Sequence, residues 1–114
     1  MDELEGFQRR HLRSLAHPLQ PVVMIGKEGL TEAVLAKTDQ ELLAHELIKV
    51  RFGDWKEEKR ALLAKMAEKL LAEVVGVVGH LGILFRQNRE PKKRQIRVPA
   101  RPRNPAAKSG GSGR

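Results

Sequence analysis

Four consecutive residues, Gly26, Lys27, Glu28 and Gly29, have types and spacing that suit the binding of a phosphate. The pattern Gly-x-x-Gly also occurs at 76–79, 79–82 and 110–113, so spacing alone decides little. Context separates the four. Only 26–29 follows a short apolar, β-branched run, Pro21 to Ile25, and directly precedes a helical stretch that opens at Thr31. Glycines in such a place let a ligand approach the backbone with no Cβ in the way. The unpaired N–H groups and positive end of the helix behind them attract an anion. Lys27 adds a full positive charge and Glu28 an opposing one. The competing reading is an ordinary strand-to-helix turn, and the spacing favours neither.

Other chemistries find little support. His11, His17, His45 and His80 are scattered, and no His-Glu-x-x-His pattern occurs. There is no Gly-x-Ser-x-Gly elbow and no P-loop. The absence of cysteine excludes a disulfide framework, a thiolate zinc site and a thiol nucleophile. No catalytic centre, metal or cofactor is expected, and a hydrolase built on His17, His45 or His80 is the weakest reading. Trp55, Phe7, Phe52 and Phe85 are the only aromatic residues. Phe52 and Phe85 sit in strand patterns and read as core. That argues against a platform on which bases stack and leaves backbone and shape recognition.

The charge distribution points the same way. The net charge is +8 over 114 residues. Residues 1–87 hold 13 basic and 13 acidic side chains, whereas residues 88–114 hold 9 basic residues and the single acid Glu90. A neutral body with a cationic arm suits a polyanion. Lys92, Lys93 and Arg94 open the arm. Pro99, Pro102, Pro105 and the Gly/Ser-rich end argue against packed structure, so 99–114 reads as a basic disordered tail and 1–98 as one domain. No apolar run approaches the ~20 residues of a membrane span. The acidic N-terminus has no signal-peptide pattern, so a cytoplasmic location without a membrane contact is expected.

The elements that must position the loop follow from periodicity. A first helix is predicted over 3–15, with Arg9, Arg10 and Arg13 off its apolar stripe. Pro18 and Pro21 end it and start a strand to Ile25. A second helix runs from the N-cap Thr31 to His45. In Leu47 to Phe52, Ile48, Val50 and Phe52 point one way and Lys49 and Arg51 the other. Asp54 and Glu57 are predicted to open a third helix, with Leu62, Leu63, Met66, Ala67, Leu70 and Leu71 on its apolar face. Strands at 74–78 and 83–86 flank a hairpin turn at 79–82, and Gln95 to Val98 alternates like a short edge strand. The order is α-β-α-β-α-β-β, an α/β domain with a four-stranded mixed sheet whose apolar face carries the helices.

The run HLRSLAHPLQPVVMIGKEGLTE from His11 to Glu32 resembles the opening signature of the YhbY-like proteins, single-domain members of the CRM group. HELIKV at 45–50 resembles that family's central strand, GHLGILFR at 79–86 its closing strand, and Arg97-Val98-Pro99 its exit. The resemblance implies a fold similar to the C-terminal domain of bacterial translation initiation factor three, with a KH-like Gly-x-x-Gly loop. It implies RNA binding, association with ribosomal RNA in large-subunit precursors, and no enzymatic activity. The expected RNA-contacting residues are Gly26, Lys27, Glu28 and Gly29, with Arg9, Arg10, Arg13, Lys49 and Arg51, and Lys92, Lys93 and Arg94 of the arm. A monomer is expected. The alternative is a non-enzymatic adaptor whose basic arm takes an acidic protein partner.

Overall fold

The computed structural model describes residues 4–100. Helix α1 spans Gly6–Ala16, strand β1 Pro21–Ile25, α2 Glu32–His45, β2 Leu47–Phe52, α3 Lys59–Leu70, β3 Glu73–Val78 and β4 Leu81–Phe85. The predicted order therefore holds. The sheet order is β1-β2-β4-β3, with β1 parallel to β2 and the other pairs antiparallel. The one parallel pair is the one joined through a helix, as a crossover connection requires.

The helices do not share one face. Alternation along β2 sends Ile48, Val50 and Phe52 into a core with Leu42 of α2 and Leu63 and Met66 of α3. It sends Leu47 to the opposite face, where Leu12 and Ala16 of α1 pack with Val75, Ile83 and Phe85. Leu47 of β2 with Ile83 and Phe85 of β4 makes this second face apolar as well, so burying both sides of the sheet takes a helix layer on each. Ile96 and Val98 close the α1 side. The edge strand expected at 95–98 does not form. Those residues follow a short 3-10 turn at Pro91–Lys93 and bend at Ile96, and the Gln95 and Ile96 N–H groups go to a side chain described below.

Local signals set most boundaries. The Thr31 hydroxyl accepts the Val34 N–H at 3.1 Å and caps α2 as expected. Glu5 N–H donates to the Gln8 side chain at 2.8 Å and starts α1. The third helix is the exception, since it begins at Lys59, after Asp54 and Glu57 rather than with them. The chain is diverted at Trp55, which takes φ +57, and a Glu58 N–H to Trp55 C=O bond closes a turn there. The hairpin turn is also tighter than expected: Gly79, at φ +58, and His80 join β3 to a β4 that already starts at Leu81. Leu71 leaves the apolar stripe. It is the C-cap of α3, at φ +55, and is exposed.

Candidate nucleic-acid interface

The Gly26–Gly29 segment is a β-turn closed by a Gly29 N–H to Gly26 C=O bond of 3.0 Å. It sits where β1 ends, two residues before the α2 cap. Gly53 and Asp54 N–H both donate to the Ile25 carbonyl, at 3.0 and 3.2 Å, and tie the β2–α3 connection to the base of the turn. From that connection Trp55 donates its indole N–H to the Lys27 carbonyl at 3.0 Å. With that carbonyl held by the indole, the amides of Lys27 and Glu28 have no partner among the described residues, and both residues are exposed. A pinned turn with free amides beside a lysine has the donors and the charge that an anion calls for.

The two glycines play different parts. Gly29 is buried at φ +72, and a Cβ there would lie 3.5 Å from the Trp55 indole nitrogen. Its need for glycine is conformational. Gly26 has no positive φ, and a Cβ there would meet nothing within 4 Å. Nothing in the protein itself requires a glycine at 26, whereas a ligand backbone approaching the turn would. Gly29→Ala is therefore expected to lower unfolding free energy by about 1 kcal/mol through the left-handed backbone alone. Urea denaturation checks this, with Gly26→Ala, expected near neutral, as the reference.

The turn's surroundings are charge-balanced rather than basic. Lys27 and Lys56 stand among Glu28, Asp54, Glu57 and Glu58 in the two connections, and Lys59 and Arg60 open α3 directly after them. Lys59 donates to the Gly79 carbonyl at 2.7 Å and lies 3.3 Å from the His80 ring nitrogen. Desolvation against the turn, then the Lys59 and Lys56 ammonium groups, hold the exposed His80 below the ordinary imidazole range. The shift favours the neutral imidazole at His80.

The remaining predicted residues do not gather around the turn. Arg51 comes nearest. It is exposed, pairs in register with Met24 and lies on the α1 side of the sheet. Lys49 is not a surface residue: it is 9% exposed, and its ammonium donates to the His17 and Leu19 carbonyls, both at 3.0 Å. It fastens the α1–β1 connection over the sheet. Arg9 donates to the Val74 carbonyl at 3.3 Å, and Arg13 lies over Gly76, so both reach toward β3, the edge opposite β1. Arg10 is exposed. Lys92, Lys93 and Arg94 stand at the other end of the molecule, because they follow Phe85, which pairs with Leu47 at the start of β2. Lys93 pairs with Glu90 at 3.0 Å and Arg94 donates to the Asn88 carbonyl at 2.8 Å. The four histidines also stay apart, and no group of three or more metal-ligating side chains occurs among the described residues.

Two polar residues that sequence reasoning passed over hold this far end together. Glu46 is fully buried at φ +65. Its carboxylate accepts the N–H groups of Asn88 at 2.6 Å and of Gln95 and Ile96, both at 2.7 Å. Its carbonyl accepts the Arg86 N–H. Arg86 in turn donates to the Asp39 carboxylate at 2.7 Å and to the Leu70 carbonyl at 2.9 Å, linking α2 to α3. Glu46 did carry a signal: an acid at a helix C-terminus opposes the macrodipole and calls for another reason to be there.

Comparison with known proteins defines the class to which this fold belongs. Residues 4–86 match the CRS1 / YhbY (CRM) domain, and the chain belongs to that family. It is 41% identical over 93 residues to a Haemophilus influenzae protein named "RNA-binding protein", covering 81% of this chain and 94% of that one. It is 32% identical over 97 residues to the Bacillus subtilis "Probable RNA-binding protein YqeI", covering 84% of this chain and 99% of that one. The solution structure of SAV1595 from Staphylococcus aureus superposes with a TM-score of 0.70 at 35% identity, covering 84% of this chain and 99% of that one. The relatives' names are those of RNA-binding proteins, not of enzymes.

Proposed function

We propose that this protein binds structured RNA by seating a backbone phosphate on the Gly26–Gly29 turn. The observation that carries this reading is the turn itself: two amides without a partner among the described residues, a lysine, an open approach at Gly26 and a tryptophan bonded to the Lys27 carbonyl. The names of the relatives support RNA as the partner. Exposed Arg51, Arg10 and Arg13 widen the contact on the α1 side. The cations after residue 87 supply sequence-independent attraction. The resemblance to YhbY-like proteins supports ribosomal RNA in precursors of the large subunit as the target, and in this reading a cytoplasmic monomer binds it. No catalytic step is part of this reading. Salt-sensitive sedimentation with large-subunit precursors tests the target, and protein remaining at the top of a low-salt gradient would overturn it.

Because the turn's neighbours are charge-balanced, one reversal there has a readable effect. Glu28→Lys removes a carboxylate beside the proposed phosphate and adds a cation, so RNA affinity should rise roughly tenfold and its salt dependence should steepen by about one phosphate contact. Glu68→Lys changes net charge equally but lies on the exposed face of α3, away from the turn. Fluorescence anisotropy with a ribosomal RNA fragment compares the two. Equal shifts would mean that net charge alone is responsible and that the turn is not the contact.

A further inference from the structure

The end of the molecule opposite the turn carries a groove of different chemistry. It lies between the last turns of α2 and α3 and the segment leaving β4, and encloses about 840 Å³. Its floor is aliphatic and includes Leu42, Leu43, Leu70 and Leu71. Leu43 is 57% and Leu71 74% exposed. Leu71 is also a non-glycine C-cap, at φ +55, a place where glycine would normally avoid both strain and apolar exposure. The rim is basic. Arg86, Arg89, Lys93 and Arg94 line it against two carboxylates, Asp39 and Glu90, which are paired with Arg86 and Lys93. Arg89 and Arg94 are left with no carboxylate partner among the described residues.

We infer that this groove docks an acidic amphipathic helix of a protein partner. Apolar side chains one helical turn apart would cover Leu43 and Leu71, and flanking carboxylates would meet Arg89 and Arg94. RNA satisfies only half of this surface. Its phosphates would answer the cations, but a sugar-phosphate backbone leaves two exposed leucines uncovered, and no aromatic ring lines the groove to stack a base. A second copy of the chain would bring the same basic rim against itself. The chain's own residues beyond Pro99 add four cations and no acid, so they do not complement the rim either. The groove stands at the opposite end of β2 from the Gly26–Gly29 turn, so RNA seated on the turn leaves the groove's leucines free, while Arg89, Lys93 and Arg94 are shared with the sequence-independent attraction proposed above. This inference stands independently of the RNA reading.

The test uses the full chain and a fluorescein-labelled 16-residue helical peptide with leucines on one face and glutamates on the other. Saturable binding with a dissociation constant below about 100 μM is expected, with amide shifts confined to residues around Leu43, Leu71, Arg89 and Arg94. Leu71→Gly suits the backbone at that position, so the fold is retained while peptide affinity falls about fivefold. Arg94→Glu should reduce it about tenfold. RNA affinity should be unchanged by Leu71→Gly. Three results would overturn the inference: no saturable peptide binding, a ribosomal RNA fragment that shifts the Leu43 and Leu71 amides, or dimerisation abolished by Leu43→Ser.

Discussion

Glu46→Ala is expected to detach residues 88–98 from the body and to lower unfolding free energy by about 3 kcal/mol. Three backbone donors converge on this carboxylate within 2.7 Å. A single hydrogen bond to a charged group contributes ~1.5–3 kcal/mol net, and three sharing one fully buried carboxylate contribute less than three times that because the carboxylate's burial opposes them. Removing the acceptor leaves Asn88, Gln95 and Ile96 N–H unsatisfied if the segment stays. Detachment lets water reach them but uncovers Ile96 and Val98, which pack on the α1 core. Glu46→Gln keeps the shape but sets an amide N–H₂ against a backbone donor, because both carboxylate oxygens are acceptors here. About half the loss is expected for it. Glu46→Gly separates the side chain from the backbone: it relieves the positive φ of 65° yet removes the acceptor, and should still destabilise. Urea denaturation gives the free energies, and hydrogen exchange at Asn88, Gln95 and Ile96 reports the detachment. Unchanged protection at those three amides in Glu46→Ala would refute the clasp.

The second large effect is on RNA. Gly26→Asp should weaken binding at least about tenfold while leaving thermal stability within about 0.5 kcal/mol of the parent. The position is open to a side chain and has no special backbone need. The new carboxylate would stand where the phosphate approaches, blocking it sterically and opposing it electrostatically. Gly26→Ala adds the Cβ without the charge and should give a smaller loss. Gly29→Asp is a poorer experiment, because strain at φ +72 and the Trp55 contact would perturb the fold together with the site. Anisotropy titrations paired with thermal melts distinguish the outcomes. Full RNA affinity in a stable Gly26→Asp protein would show that the turn is structural only.

Features set by near neighbours along the chain are legible in the sequence alone. Thr31 caps α2 because its hydroxyl meets an N–H three residues on. The alternation in Leu47 to Phe52 and the glycine breaks around each strand set out the α-β-α-β-α-β-β order, and context singles out one Gly-x-x-Gly among four. The uneven charge of residues 88–114 is likewise a property of the sequence itself. The resemblance adds the family and the RNA expectation.

What only the tertiary structure decided lies in partners far apart along the chain. Lys49 reads as an outward strand lysine, since alternation does not reveal that the His17 and Leu19 carbonyls, about thirty residues earlier, will cover it. Gln95 to Val98 alternates like a strand, but its donors meet Glu46, about fifty residues away, before any strand edge. The start of α3 shifts because Trp55 reaches back to Lys27, and that same bond distinguishes buried Gly29 from open Gly26. Periodicity records which side of an element a residue occupies. It carries no record of which carbonyl, carboxylate or ring the fold will bring to that side, and those meetings determine which polar residues are structural and which remain free to bind.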